Sequence, residues 1–413
     1  MRFCMVTTFY PPYHFGGDAV YVQQLANELA ARGHHVEVVH CCDAYNLLSR
    51  HPSGRSVPEH QNVLVHRLKS PFGFISPMAT QQTGRPMFKS KSLVQILEQS
   101  FDVIHYHNIS LVGGPAVLKY GRAVKLYTLH EYWLLCPTHM LFKFDREVCT
   151  KKECFSCMLA HGRPPQFWRY SGLIKRTVPH VDLFLAPTEF TKVKHLELGL
   201  EMRIAELPYF TSRWGTSCIP KEGHRIDHPY FLFVGRLEKI KGLQTLIEPF
   251  RRFTKAQLWV IGTGEYEPTL RALARDCSNI RFLEFQTGEQ LRRLYQQAVA
   301  VIVPSLWYEV FGIVILEAFT QRTPVIVRNR GGMSQVIKES GGGFVFDTEE
   351  ELMMAMDKLL EEPFLRSSVG QQGFEALKKR WTAEVHIKRY LELIESLGGT
   401  PKILPDSPRV TVA

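Results

Sequence analysis

The sequence predicts an α/β protein with two doubly wound, Rossmann-like domains that face each other across a cleft. Short apolar strands alternate with helical periodicity along the chain, and this alternation is interrupted once, at residues 213–228. The 413 residues are also too many for one compact core. Such alternation is typical of parallel sheets with helices on both faces. Ligands of these sheets bind beyond the carboxyl ends of the strands, so the cleft is the expected site.

The first domain is predicted over residues 1–212. Residues 2–10 form a buried strand, Gly16-Gly17 break the chain, and a helix follows with an apolar face. Gly33 is expected to end this helix in the left-handed conformation. The further strands predicted in this domain are HHVEVVHC, NVLVHRL, DVIHYH, VKLYTLH, VDLFLAPT and IAELPYF.

The second domain is predicted over residues 229–397, after a linker at 213–228; the stretch 211–229 around this linker contains two prolines and two glycines. Residues 348–397 are expected to be helical, and residues 398–413 to form a loose tail. The strands predicted in this domain are YFLFVGRL, QLWVIGTG, NIRFLEF, VAVIVPS, TPVIVRN and GGFVF.

Positive charge is concentrated in the first domain. The chain carries a net charge of +10, of which residues 1–212 contribute +7, together with 14 of the 17 histidines. A basic half suits phosphates, acidic glycans or an anionic membrane face, although ordinary surface solvation explains it equally well. Dense Lys/Arg runs and nucleic-acid-binding motifs are absent from the sequence, so nucleic acid is not an expected partner. Without a signal-peptide layout or a long apolar run, a cytoplasmic location is expected.

Two cations follow the first strand of the second domain. In FVGRLEKIKG, Arg236 and Lys241 lie in one loop that leads into a helix. Two cations beside the free amides of a helix start form a good cradle for a diphosphate. Solvated surface charge is the competing interpretation at this stage.

Two glutamates bracket the apolar segment WYEVFGIVILEAF. Glu309 precedes the amides of Phe311, Gly312 and Ile313, which are expected to open a helix, and Glu317 follows on that helix. Unpaired carboxylates are costly to bury, so both are expected to face water or a polar ligand.

The ligand best suited to these groups is a nucleotide sugar. A ribose and a sugar both need acceptors for their hydroxyls, which Glu317 and Glu309 would supply. Gly16 and Gly17 would bring backbone amides against the same ligand from the opposite wall. GTG at 262–264 is a weak dinucleotide signal, because Glu267 replaces the third glycine of the fingerprint.

Along nearly its whole length the chain resembles the retaining GT-B glycosyltransferases of family 4 (glycosyl transferases group 1). The resemblance rests on YPPYHFGGDAVYVQQLANELAARGHHV, on FVGRLEKIKG and on PSLWYEVFGIVILEAFTQRTPVIV, the last of which matches the family's Glu-x7-Glu motif. RGGMSQVI follows where the family has a glycine pair. A GT-B fold is therefore expected.

The resemblance implies a nucleotide-diphosphate sugar donor, held mainly by the second domain. Arg236 and Lys241 would bind the diphosphate and stabilise the leaving group, Glu309 would face the transferred sugar, and Glu317 the ribose. Transfer would retain the anomeric configuration and would require no cofactor or divalent metal. By the same pattern His130 would lie beside the sugar, with His107 on the acceptor side.

Three positions depart from the usual family pattern, and other activities compete with transfer. Gln335, Glu284 and Val310 bear on donor identity more than on the reaction class.

A sugar-nucleotide epimerase or a phosphorylase would use the same fold. A nicotinamide-dependent oxidoreductase, from another class, would need the complete glycine fingerprint that 262–267 lacks.

A cysteine-rich insertion occupies about residues 136–161. It contains a four-cysteine cluster, which consists of Cys136, Cys149, Cys154 and Cys157. Structural zinc, free thiols and a disulfide remain open for the cluster, with the disulfide disfavoured in a reducing compartment. The adjacent RPPQFWRYSGLIKRTV mixes aromatic and basic residues, which suits a membrane surface or a lipid-linked acceptor. A hydroxyl of a lipid-linked or polysaccharide intermediate is therefore the expected acceptor.

Overall fold

The computed structural model describes residues 1–49, 59–214, 228–284, 286 and 288–398. Most of the expected linker and nearly all of the expected tail lie outside these residues. Two parallel sheets with helices packed around them form the described part, as the alternating pattern predicts. No helix in that part is long and apolar enough to cross a membrane.

The N-terminal half contains a seven-stranded parallel sheet and a small hairpin. In chain order its strands are β1 (Arg2–Val6), β2 (His35–Cys41), β3 (Val63–Leu68), β4 (Val103–Tyr106), β5 (Val124–Thr128), β6 (Phe142–Lys143), β7 (Glu147–Val148), β8 (Leu183–Ala186) and β9 (Ile204–Glu206). Its helices are α1 (Gly17–Ala31), α2 (Cys42–Leu48), α3 (Ile75–Thr83), α4 (Ser90–Leu97), α5 (Cys154–Ala160), α6 (Leu173–Thr177) and α7 (Glu189–Glu197).

The C-terminal half contains a six-stranded parallel sheet. Its strands are β10 (Tyr230–Val234), β11 (Gln257–Ile261), β12 (Ile280–Leu283), β13 (Val301–Val303), β14 (Val325–Arg328) and β15 (Gly343–Phe346). Its helices are α8 (Gln244–Arg252), α9 (Glu267–Leu273), α10 (Gly288–Gln297), α11 (Ile313–Thr320), α12 (Gly332–Ser340), α13 (Glu349–Glu361), α14 (Pro363–Arg380) and α15 (Ala383–Glu395).

The strand order of each sheet brings the candidate residues to one place. The first sheet has the order β3-β2-β1-β4-β5-β8-β9 and the second β12-β11-β10-β13-β14-β15. The order therefore reverses between β1 and β4 and between β10 and β13. Ligands of doubly wound sheets bind at such switch points, outside the carboxyl ends of the strands. The segments that carry the candidate residues follow β1, β4, β5, β10 and β13.

Apolar faces explain the packing of α1 between the first sheet and the rest of its domain. Val22, Leu25, Ala26 and Leu29 are all fully buried, as the helical spacing predicts. The helix ends before Gly33, which has a φ of 85°. The left-handed conformation expected for this glycine is confirmed.

The last helix packs on the N-terminal half of the molecule. In α15, the Tyr390 hydroxyl lies 3.0 Å from Nδ1 of His105, and His386 lies 3.0 Å from the Tyr21 hydroxyl. His386 also contacts the carbonyl oxygen of Pro208 at 2.7 Å. The sequence indicates that residues 348–397 are helical, but not that the last of these helices, α15, packs on the N-terminal half of the molecule.

Candidate active site

The N-termini of two helices meet across the cleft. A Cβ added at Gly17, the first residue of α1, would come 3.1 Å from Cδ1 of Ile313, the first residue of α11. Each terminus directs free amides and the positive end of a helix dipole outward. The Arg236 side chain adds a full positive charge close to the start of α1. Its Nε would lie 3.9 Å from a Cβ added at Gly16. This convergence of positive groups from both domains favours an anionic ligand.

Gly312 sets the geometry of the second terminus. It caps α11 with a φ of 89°, a conformation that other residues rarely adopt. Phe311, Gly312 and Ile313 therefore open this helix as the sequence predicts. Phe311 packs against Tyr209 of the first domain, with ring centroids 5.3 Å apart.

Glu309 is a buried carboxylate held by an ammonium group. Lys241 Nζ lies 2.5 Å from Glu309 Oε1, and the Ser305 hydroxyl donates to the same oxygen at 3.0 Å. Burial by itself raises the pKa of the Glu309 carboxyl, but Lys241 and Ser305 outweigh it, so the pKa lies below its ordinary value. Two of the predicted site residues are thus in direct contact.

Glu317 has protein partners on both of its oxygens. Arg213 Nη1 donates to Oε1 at 2.5 Å, and the Tyr295 hydroxyl donates to Oε2 at 2.7 Å. Arg213 also stacks on Trp214, its guanidinium carbon 4.6 Å from a ring centroid. A ribose at this position would bind the remaining lone pairs of Glu317 or displace Arg213.

His130 lies at the end of β5 with both ring nitrogens hydrogen-bonded inside the protein. Nε2 is 2.8 Å from Nδ1 of His107, and Nδ1 is 2.5 Å from the Tyr209 hydroxyl. Burial lowers the pKa of His130 to about 4, so the ring is neutral near neutral pH. A contact with a sugar would require His130 to exchange one of these partners.

His107, which is expected on the acceptor side, is buried inside the first domain. The residue is 1% exposed and lies behind His130, and its ring stacks over His105 at a centroid distance of 4.0 Å. The burial of β4, which is enclosed on both faces, removes this side chain from the surface. His107 is placed to fix the ring of His130, and its acceptor-side role stays a prediction.

The four-cysteine cluster lies around one small cavity in the insertion. The cavity has a volume of about 20 Å³ and is lined by all four residues. Burial raises the pKa of the Cys149 thiol, and the other three thiols raise it further. Among the residues described, the cysteines are free. In this part of the chain, no three Cys, His, Asp or Glu side chains are grouped so that they could hold a metal ion as they stand.

The structure adds polar residues that the sequence did not indicate. Ser305 binds Glu309, Tyr209 binds His130, and Tyr295 binds Glu317. Arg213 lies in the segment expected to be a linker. Ser305 lies in the segment that contains the Glu-x7-Glu motif but is not one of its glutamates, and Tyr295 matches the apolar periodicity of a core helix. Only the spatial contacts reveal these residues.

Comparisons with known proteins agree with the geometry. Residues 15–208 match the family model described as Glycosyltransferase Family 4, and residues 218–376 match Glycosyl transferases group 1. The chain belongs to the group 1 glycosyltransferases. The expectation of a nicotinamide-dependent oxidoreductase therefore has no support.

Similar proteins span almost the whole glycosyltransferase. An uncharacterized glycosyltransferase of Methanocaldococcus jannaschii is 27% identical over 387 residues, covering 88% of this chain and 90% of the relative. The alpha-monoglucosyldiacylglycerol synthase of Acholeplasma laidlawii is 24% identical, covering 96% and 98%. Among solved structures, Anabaena HepE in complex with UDP and glucose has a TM-score of 0.68 at 17% identity, covering 96% and 100%. The expected GT-B fold is confirmed.

Replacing Lys241 with methionine tests the buried ion pair. Removing one partner of such a pair costs about 3–5 kcal/mol of stability. In the native protein the lowered pKa of Glu309 means that the ionised carboxylate stabilises the fold at neutral pH, and this stabilisation is lost as pH falls through the lowered pKa. In Lys241→Met, the ammonium charge that opposes burial is gone, so burial raises the pKa of Glu309 against hydrogen bonding such as that from Ser305. The stability deficit of the variant should therefore shrink between about pH 7 and about pH 5.

Thermal denaturation at the two pH values measures this change. Lys239→Met is the control, since Lys239 lies in the same loop but pairs with an Asp145 side chain that is 42% exposed. A deficit for Lys241→Met that is equal at both pH values would contradict the coupling to Glu309.

Proposed function

We propose that this glycosyltransferase moves a hexosyl unit from a nucleotide-diphosphate sugar to a hydroxyl of a lipid-linked or polysaccharide acceptor. The reaction would retain the anomeric configuration and use no divalent metal. One observation carries the proposal, namely the meeting of the α1 and α11 N-termini beside Arg236. A diphosphate is the part of the donor that such a convergence would bind.

The diphosphate is also where charge develops during transfer. The bond between the anomeric carbon and a phosphate oxygen breaks, and the leaving group gains negative charge. Groups already fixed around that position stabilise the transition state without reorganising. Arg236 is suited to this because its side chain is 46% exposed and its ion pair in the described part of the chain is a surface pair with Glu238. Lys241 would divide its charge between Glu309 and the leaving group.

Glu309 and Glu317 would bind different parts of the donor. Glu309 is ionised, lies at the carboxyl end of β13 and precedes the amides of α11, which suits the hydroxyls of the transferred sugar. Glu317 lies further along α11 and would accept from the ribose hydroxyls. His130, neutral at working pH, would donate or accept a hydrogen bond rather than supply a proton as an imidazolium ion.

Uridine is the base to test first. HepE, which shares the fold, is described in complex with UDP and glucose. At 17% identity this likeness concerns the fold, so UDP-glucose is a starting donor and the base and sugar remain to be measured.

Exposed apolar residues on the first domain support an acceptor at a membrane surface. They form a membrane-facing patch consisting of Phe72, Phe74, Ile75, Met78, Met87, Phe88, Phe155, Leu159, Phe167 and Tyr170, all more than 40% exposed. Contacts connect its parts. The rings of Phe72 and Phe88 lie 4.3 Å apart, and the indole of Trp168 donates to the carbonyl of Gln81 at 2.7 Å. Large exposed patches of this kind mark interaction surfaces.

Basic residues lie beside this patch. A groove of about 540 Å³ is lined by Arg85 and Lys119 together with Met87, Phe88 and Tyr120. Cations next to exposed aromatic rings suit an anionic lipid surface. The Acholeplasma relative, by its name, makes a glucosyldiacylglycerol, which agrees with a lipid acceptor.

The anomer released from UDP-glucose tests the reaction class. Slow hydrolysis uses water as the acceptor, so no natural acceptor is required. We expect the first-formed glucose to have the α configuration of the donor when followed by NMR, and the rate to be unchanged in excess EDTA added during the assay. Arg236→Ala should slow release, because the leaving group loses a cation. β-Glucose, or a strict requirement for an added divalent ion, would contradict the proposal.

The two glutamates should differ in calorimetric titrations. Ribose is present in both UDP and UDP-glucose, so Glu317→Ala should weaken both by about ten- to a hundredfold, the effect of losing about 1.5–3 kcal/mol. Glu309→Gln should leave UDP binding nearly intact while kcat falls. Glu289→Ala is the control, because that exposed side chain pairs only with arginines of its own helix among the contacts described. Equal behaviour of the Glu309 and Glu317 variants would refute the division of roles.

Vesicle sedimentation tests the membrane-facing patch. We expect the protein to bind vesicles containing anionic phosphatidylglycerol more strongly than neutral phosphatidylcholine vesicles. Phe74→Ser combined with Phe167→Ser should reduce binding at least severalfold, since two exposed rings are lost. Phe364→Ser is the matched control, because Phe364 is 92% exposed but lies on the second domain. Equal loss in the control would assign the binding to general hydrophobicity.

A further inference from the structure

We propose that the four-cysteine cluster binds one structural zinc ion, and that this ion fixes the β6–β7 hairpin against the loop that carries Arg236 and Lys241. The site is separate from the transfer chemistry. Its ligands would be four thiolates, the commonest donor set of closed zinc sites.

The chain delivers the four sulfurs from both sides of a short hairpin. Cys136 precedes the hairpin, and Cys149 directly follows it, with its amide donating to the carbonyl of Leu141 at 2.7 Å. Cys154 and Cys157 lie one turn apart on α5. A hairpin followed by a helical Cys-x2-Cys pair brings donors from distant positions to one point, which suits a structural metal.

The cavity has the right size for a single ion. Its volume of about 20 Å³ slightly exceeds the space that one water-sized particle requires. Three of the four sulfurs have other partners in the structure. Cys136 Sγ lies 3.2 Å from the Thr138 hydroxyl oxygen. The Phe144 amide donates to Cys157 Sγ at 3.4 Å, and the Cys149 thiol donates to the carbonyl of Lys151 at 3.5 Å. Because the sulfurs are not yet grouped as a ligand set, binding would draw them inward by side-chain rotation.

A buried cation beside the cluster supplies an independent argument. Nη2 of Arg169 is buried without a hydrogen-bond partner in the described part of the chain, and no ion pair of Arg169 is found there. Its guanidinium carbon lies 5.2 Å from the ring centroid of Trp133 and 4.7 Å from that of Trp168, and it interacts electrostatically with Cys136 and Cys154. The Glu131 carboxylate also interacts with this guanidinium charge, to whose compensation four neutral thiols would contribute nothing. Zinc with four thiolates has a net charge of −2 and would compensate it.

The hairpin connects the cluster to the other domain. Phe144 and Asp145 form its tip with φ values of 54° and 55°, and Lys239 Nζ lies 2.9 Å from Asp145 Oδ2. Lys239 begins the short 3-10 helix that ends at Lys241. The zinc ion would thus hold in place a contact with the diphosphate-binding loop.

Elemental analysis of the full chain, purified without chelators, tests the proposal. We expect about one zinc per chain, and its loss in Cys154→Ser combined with Cys157→Ser. Cys277→Ala is the control, since this buried cysteine lies in the second domain and should leave the metal in place. Absence of stoichiometric metal, or zinc that persists in the double variant, would overturn the proposal.

A second measurement on the unmutated protein covers failure of the double variant to fold. Exchange of zinc for Co²⁺ should produce the intense thiolate-to-metal absorption of a tetrahedral sulfur site. Alkylation followed by mass spectrometry should show the four cysteines protected in the metal-loaded protein and labelled after chelation. Disulfides among the four, or labelling that is indifferent to chelation, would reject the zinc site.

The link to the donor loop is tested separately. Asp145→Ala should retain zinc but raise the donor KM by about two- to fivefold, the effect of losing one surface ion pair. Normal zinc with an unchanged KM would remove the link to the second domain.

Discussion

A buried carboxylate requires a cation, and Glu309 is satisfied by Lys241. The backbone of Glu309 also makes contacts with neighbouring loops. Its carbonyl accepts from the amide of Gly332 at 2.6 Å, and the residue forms a parallel bridge with Gly331. Glu309 therefore connects the loops after β10, β13 and β14. The side chain that is expected to meet the sugar also holds these three loops in register.

The next residue extends this arrangement to the other domain. The carbonyl of Val310 accepts from the hydroxyls of Thr188 and Thr191 at 2.9 and 3.1 Å. A few positions further, Ile313 packs against Gly17. The segment from Glu309 to Ile313 therefore contacts both the first domain and the loops after β10 and β14. Helix α15 also packs on the first domain. The geometry of the candidate site and the contact with the first domain depend on the same short segment.

Periodicity was sufficient to predict the sheets because parallel strands buried on both faces are almost continuously apolar. Glycine located the start of α11, since few other residues adopt the φ of 89° that Gly312 has. It also located the start of α1, where Gly16 is extended and Gly17 leaves room for the close approach of Ile313. The burial of the His107 ring could not be predicted from the sequence. A histidine at the end of a strand has the same local sequence whether its ring faces a cleft or, as here, the interior behind His130. The hydrogen bonds from Arg213 and Tyr295 to Glu317 were equally unpredictable.

The sequence by itself determined the two α/β units, the family, and the candidate residues at the carboxyl ends of strands. These features depend on local patterns of polarity, spacing and backbone freedom. The tertiary structure alone decided which of those residues touch. It paired Lys241 with Glu309, gave Glu317 two protein partners, packed α15 on the first domain and gathered four cysteines around one cavity. These contacts join positions far apart in the chain, and their energies depend on distance and burial, which no local pattern encodes.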